Sequence, residues 1–252
     1  MIIYFSGTGN SAYVAHSLGK LLDEETVRLT DRAPSEIVFS GKYLIIVYPI
    51  YSWGVPPIVL EYISRLNDGF VAKAARVKTY MICVCGDETA MAPEMLKPIL
   101  GARGLNYAGG WSVQMPNNYV LLPGFNVDPV KLEKEKLKAA PERVGRIAEE
   151  IRQGAIKEDF VRGRHPKTKS RMIYPLFKRW GIVPSKWHFT EECVGCGRCE
   201  KVCPVGNIKF VGGRPKWGSD CTSCLACYHI CPGHAVQYGR ATRHKGQYFF
   251  KK

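Results

Sequence analysis

Eight cysteines toward the carboxyl end constrain this chain more than any other feature. They form a C-x2-C-x2-C-x3-C-P run twice, from Cys193 to Pro204 and from Cys221 to Pro232, with seventeen residues between Cys203 and Cys221. Three closely spaced thiolates can take three corners of a [4Fe–4S] cubane, while the fourth cysteine of each run reaches across to the other cubane. On that pattern Cys193, Cys196, Cys199 and Cys231 hold one cluster, and Cys221, Cys224, Cys227 and Cys203 hold the second. Disulfides would need an oxidising compartment, and the first residues do not resemble a signal peptide. Zinc sites need only C-x2-C pairs and would leave the third cysteines and the Cys-Pro ends unexplained.

Residues 188 to 238 resemble the bacterial two-cluster ferredoxins, with every ligand position filled. A chain of 252 residues is too long for that unit alone, so two domains are expected. No apolar run is long enough to span a bilayer. Oxygen-labile clusters suit a reducing cytoplasm, and an anaerobe as host. The charge is uneven. Residues 1–154 carry 17 Lys and Arg against 16 Asp and Glu, a net of +1, whereas residues 155–252 carry 19 against 6, a net of +13. Such a basic half attracts acidic redox partners. No nucleic-acid recognition motif accompanies it, so nucleic acid is not an expected partner.

At the amino end no targeting segment is expected, on the reading that Met1 to Phe5 form a short apolar strand. It runs into Ser6-Gly7-Thr8-Gly9-Asn10-Ser11 and then a helical pattern from Ala12 to Leu22. A strand, a tight loop of glycines and hydroxyls, and a helix make a phosphate cradle: backbone N–H groups and the helix N-terminus face the anion. Neither a P-loop nor a G-x-G-x-x-G spacing is present. The loop resembles the flavodoxin signature, read here as Ser6-x-Thr8-Gly9-x-Ser11. That resemblance implies FMN, with Ser6, Thr8, Gly9, Asn10 and Ser11 around its phosphate.

A strand near Thr26–Leu29 and an unbroken apolar run from Tyr43 to Tyr48 follow, the latter expected of a central parallel strand. The loop after it holds Tyr51, Trp53 and Gly54. By the resemblance, Tyr51 or Trp53 stacks on the flavin and Gly54 offers a peptide to its N5. A strand from Val77 to Val84 ends at Cys85-Gly86-Asp87, the other expected wall of a flavin pocket, here without an aromatic. Cys83 and Cys85 read as small buried hydrophobes. After a last strand between Tyr107 and Met115, the segment from Met115 to Phe125 reads as a lid, with Asn117, Asn118 and Tyr119 within reach of a ligand. A helix from Val130 to Gln153, its Leu132 and Leu137 toward the core, is expected to kink or divide at Pro141.

The expected fold is therefore α/β: a flavodoxin-like, doubly wound, five-stranded parallel sheet over residues 1–154, a connector over 155–187, and a small α+β two-cluster ferredoxin domain over 188–252. The connector carries eight basic and no acidic residues between Arg162 and Lys186, with apolar residues that include Met172, Tyr174, Leu176, Phe177, Trp180 and Ile182. It reads as an ordered dock between domains, with peripheral membrane contact as the alternative. The domain order resembles the flavodoxin–ferredoxin fusion family. That resemblance implies FMN, two [4Fe–4S] clusters and intramolecular electron transfer, in an electron carrier or adaptor of anaerobic metabolism. The alternative is a ferredoxin-fed flavin reductase of a small organic substrate. No catalytic acid or base stands out, and the oligomeric state is not legible.

Overall fold

The computed structural model describes residues 1–181 and 183–250; Ile182 of the connector, Lys251 and Lys252 lie outside the described residues. Six parallel strands form one sheet: β1 (Ile2–Tyr4), β2 (Thr26–Arg28), β3 (Tyr43–Pro49), β4 (Lys78–Cys85), β5 (Tyr107–Gln114) and β6 (Glu158–Asp159), in the order β2-β1-β3-β4-β5-β6. The first five follow the 2-1-3-4-5 order of flavodoxin-like sheets. The sixth corrects the five-stranded expectation. It is a two-residue edge strand paired with Gly110 and Trp111 of β5, and two exposed acidic residues carry no apolar alternation to announce a strand.

Side chains of β3 alternate between two cores, as the period of two requires. Leu44, Ile46 and Tyr48 face the layer of helices α2 (Pro57–Ser64), α3 (Asp68–Ala74) and α4 (Ala92–Ala102), and Ile45 and Val47 face α1 (Asn10–Leu22) and α5 (Val130–Arg152). Burial on both faces explains the unbroken apolar run. Helix α5 passes through Pro141 without a break. Pro141 sits on the exposed side, where water can satisfy the carbonyl that its missing N–H leaves free. Ala140, Val144, Ile147, Ala148 and Ile151 make the buried stripe of α5, whereas Leu132, expected in the core, is 37% exposed. Trp111 is fully buried in this layer, with its Nε1 donating to Glu150 Oε2 at 2.5 Å. Trp111→Ala should therefore cost about 3–5 kcal/mol in urea unfolding.

In the second domain, Trp187–Phe189 pairs antiparallel with Val236–Tyr238, and Ile208–Val211 with Arg214–Trp217. A short helix carries the third cysteine of each run, Arg198–Val202 with Cys199 and Ala226–Ile230 with Cys227. The two loops repeat one backbone shape. Gly195 and Gly197 have φ of 66° and 68°, and Ser223 and Leu225 hold the same left-handed region at 56° and 61°. The core of this domain includes Val120 and Leu121, which come from the segment after β5. That segment is thus packed between the domains and is not a free lid. The connector is helical from Pro166 to Gly181 in mixed α and π turns. It buries Ser170, Tyr174 and Phe177 and leaves Met172, Leu176 and Trp180 more than half exposed.

Candidate functional site

The loops beyond β1, β3, β4 and β5 meet at the carboxyl edge of the sheet, where ligands of doubly wound folds bind. They surround a cavity lined by Ser6, Thr8, Ser11, Tyr51, Gly86, Asn118 and Tyr119, among others, and closed on one side by Ser223, Cys224 and Leu225 of the second cysteine run. Its floor loop fits a phosphate. Gly9 caps α1 at φ 99°, no acidic residue stands in the first turn, and Ser6, Thr8 and Ser11 are buried. The Ser6 hydroxyl is buried with no partner among the described residues, an orphan donor that an anion would satisfy.

The domains touch at this loop. A Cβ on Gly7 would lie 2.6 Å from the Cys224 carbonyl oxygen and 2.8 Å from Cys224 Cβ, so only glycine allows the approach. The carboxyl-terminal tail crosses the same loop: the Phe250 N–H donates to Thr8 O at 2.9 Å, and the Tyr248 hydroxyl donates to Asn10 Oδ1 at 2.7 Å. Asn10 spends its other side-chain group on Pro116 O at 3.0 Å. It ties the cradle to its neighbours with its carbonyl oxygen and one of its two amide hydrogens.

The Asn118 Nδ2 donates to Thr8 Oγ1, and the Asn118 carbonyl accepts from His229 Nε2 at 2.7 Å. His229 Nδ1 accepts the Tyr248 N–H at 3.1 Å, so Nε2 carries the ring hydrogen. Burial lowers the imidazole to about 4. His229 therefore clasps the cluster domain, the segment after β5 and the tail in one network. Tyr119 lines the cavity and packs edge-on against Phe125 and Phe177, and burial pushes its hydroxyl up to about 12.

The loop after β3 divides its residues. Tyr51 lines the cavity. Trp53 stands outside it, at an adjoining cavity with Phe125 and Lys169, because its Nε1 donates to Glu88 Oε1 at 2.7 Å and the Lys169 ammonium lies 5.4 Å above its ring. Gly54 is turned away too. It pairs with Tyr51 through two backbone hydrogen bonds of 2.9 Å, and its missing Cβ makes room for the Tyr174 ring. Trp53 and Gly54 thus make contacts with the connector, and neither lines the cavity around the Ser6–Ser11 loop. Phe177 and the Ser223–Leu225 turn line the cavity without any signal in sequence, since they arrive from remote segments. Cys83 is buried and donates to the Tyr48 hydroxyl at 3.2 Å, with burial pushing its thiol up to about 12. Cys85 is equally buried but reaches the cavity wall.

The eight motif cysteines fall into two sets. Cys193, Cys196, Cys199 and Cys231 line one small cavity, and Cys203, Cys221, Cys224 and Cys227 line another. Among the described residues no three His, Cys, Asp or Glu side chains converge to hold a single metal ion. Burial raises Cys221 and pushes Cys224 up to about 11, and neighbouring sulfurs add to both shifts. Thiols so placed stay protonated until bound iron supplies the opposing charge. The donor set fits iron–sulfur chemistry.

A 4Fe–4S binding domain family matches residues 187–209, and a second 4Fe–4S binding domain family matches residues 218–239. The carboxyl-terminal region binds iron–sulfur clusters. A curated relative, one of the subunits of an ion-translocating oxidoreductase complex in Methanosarcina acetivorans, is 41% identical over 46 residues, 18% of this chain. The match spans 17% of that relative's length. Similar solved structures include a Trp repressor binding protein of Bacillus subtilis, with TM-score 0.39 and 20% identity over 56% of this chain and 96% of that one. Another is the two-electron reduced flavodoxin of Megasphaera elsdenii, with TM-score 0.39 and 16% identity over 59% of this chain and 98% of that one. The strand order itself is what makes the amino-terminal sheet flavodoxin-like. No helix among the described residues is long and apolar enough to cross a membrane.

Proposed function

We propose that the chain is an electron carrier that joins FMN, bound in the sheet-edge cavity, to two [4Fe–4S] clusters. Cys193, Cys196, Cys199 and Cys231 hold the first, and Cys221, Cys224, Cys227 and Cys203 hold the second. The observation that carries the reading is the shared wall: Cys224 and its neighbours close the cavity whose floor is the Ser6–Ser11 loop. Bound there, FMN would exchange one or two electrons, while each cluster exchanges one. The Ser6, Thr8 and Ser11 hydroxyls and the start of α1 hold the phosphate, and Tyr51, Tyr119 and Phe177 exclude water. The net +13 of residues 155–252 draws acidic redox proteins to the cluster end, in a reducing cytoplasm. The relative's name, a component of an oxidoreductase complex, agrees with a carrier.

Anaerobic purification with iron and flavin analysis tests this directly. About eight irons and one FMN per chain are expected; zinc, or a chain without flavin, sinks the reading. Thr8→Val should weaken FMN binding by about tenfold to a hundredfold, the worth of one hydrogen bond to a charged group, as read by flavin-fluorescence titration of the apoprotein. Electron exchange with an acidic ferredoxin-type partner should slow steadily as salt is raised, and a rate indifferent to ionic strength counts against the basic face as a dock.

One observation favours a second reading, a reductase of a small organic substrate. The adjoining cavity shares Ile50, Ser52, Gly86 and Asn117 with the first and adds the aromatic walls Trp53 and Phe125. Rapid reoxidation of the reduced protein by a small metabolite, lost on Phe125→Ala, would select it over the carrier.

A further inference from the structure

The two cysteine cavities differ in the donors that face them. In the second, the Trp217 indole Nε1 and the Thr222 hydroxyl are buried without a hydrogen-bond partner among the described residues, and both residues line the cavity with its four cysteines. Trp217 is held in place by Trp187, the two rings stacked at 6.5 Å and 17°. A buried donor left unmade is costly, and the acceptors these two face are the sulfurs of Cys227 and Cys224. Burial, the larger effect on the free thiols, raises both, and the two donors oppose it by favouring the thiolates. The first cavity is lined by Val194, Phe210, Pro215 and Val236, with Glu192 and Arg198 at its rim, and none of its lining side chains is a buried, unpartnered donor. Backbone donors do not separate the two sets, since Cys199 of the first also receives backbone N–H groups; the contrast lies in the side chains. The Asn207 and Ser223 N–H groups lie 3.3 Å from Cys203 Sγ and 3.4 Å from Cys221 Sγ. In the first set, Cys231 Sγ receives the Ala235 N–H at 3.3 Å.

We propose that Trp217 and Thr222 donate to the sulfurs of the second cluster and hold it at a higher reduction potential than the first. The inference rests on the cluster placement proposed above. Donors to sulfur favour the more negative, reduced form and so raise the potential. Burial works in the other direction and is deeper in the second set, where it raises the Cys221, Cys224 and Cys227 thiols, against that of Cys199 in the first; the Trp217 and Thr222 donors act on those same sulfurs and outweigh it in the bound cluster. Glu192 and Arg198 are opposite in sign and exposed, so water and salt screen them. A single electron shared between the two clusters therefore rests on the one whose Cys224 lies against Gly7, on the flavin's side.

The test is an EPR-monitored redox titration of the anaerobically prepared full chain, with Trp217→Phe and Thr222→Val beside wild type. In wild type the higher of two potentials should belong to the cluster whose signal Cys221→Ser removes. Trp217→Phe keeps an aromatic ring and removes the donor. It should lower that potential by about 59 mV, a tenfold change in a one-electron equilibrium, and leave the other unmoved. Thr222→Val should move the same cluster in the same direction, and it decides the matter if Trp217→Phe loses iron. Full iron with both potentials unmoved overturns the tuning alone, as does loss of the lower-potential signal in Cys221→Ser. A wild-type chain with fewer than about eight irons sinks the cluster placement and the tuning together.

Discussion

Cys221→Ser is expected to leave a chain with about four irons in place of about eight, FMN still bound, and flavin that no longer fills with electrons supplied to the clusters. Cys221 sits in the set that touches the flavin cavity. Cys224 closes that cavity, and its backbone packs on Gly7. Loss of this set removes the step between the outer cluster and the flavin. Cys193→Ser should lose the same amount of iron and yet leave the set beside Gly7 intact, so a small reductant able to reach that set still reduces the flavin. Stopped-flow absorbance, with the flavin and cluster bands followed separately, checks both. If Cys221→Ser reduces its flavin at the wild-type rate, the second cluster is not on the path.

Gly7→Ala is expected to destabilise the protein by about 1–3 kcal/mol, the cost of adding a methyl to a packed interior, or roughly 2–4 °C per kcal/mol in Tm for a chain of this size. The new Cβ would meet the Cys224 carbonyl oxygen at 2.6 Å. Both partners are backbone or Cβ atoms, so no side-chain rotamer can relieve the clash, and the two domains must part. The same change at Gly145, in helix α5 with nothing within 4 Å, should stabilise by about 0.5–1 kcal/mol, because alanine loses less backbone entropy there. Thermal unfolding of both variants, with flavin and iron content measured alongside, separates the clash from a general effect of alanine. Equal Tm values for Gly7→Ala and wild type would mean that the domains do not meet at this loop.

Much of the fold was legible because its signals are local. The Tyr43–Tyr48 run marked a strand buried on both faces, and the Ser6–Ser11 loop marked a strand-to-helix turn built for an anion. The cysteine spacing likewise stated its own chemistry. Errors came where a tertiary contact overrode a local preference. Pro141 did not break α5, since its ring faces solvent. The contacts of Trp53 and Gly54 with Glu88, Lys169 and Tyr174 join segments far apart in the chain and had no local signal. The segment after β5 looked like a lid because its apolar residues had no visible partner; Val120 and Leu121 belong to the core of the other domain. The basic carboxyl-terminal tail carries little signal in sequence, and its Tyr248 and Phe250 bind Asn10 and Thr8.

The sequence by itself determined the iron–sulfur chemistry and the kind of sheet, because cysteine spacing and hydrophobic period act over a few residues and need no distant partner. Only the tertiary structure decided which set of cysteines lies against the Ser6–Ser11 loop and which residues line the cavity between them. Those are contacts between segments about two hundred residues apart, set by shape, by one glycine without a side chain, and by a buried histidine that bonds Asn118 across the seam while its other ring nitrogen holds the tail.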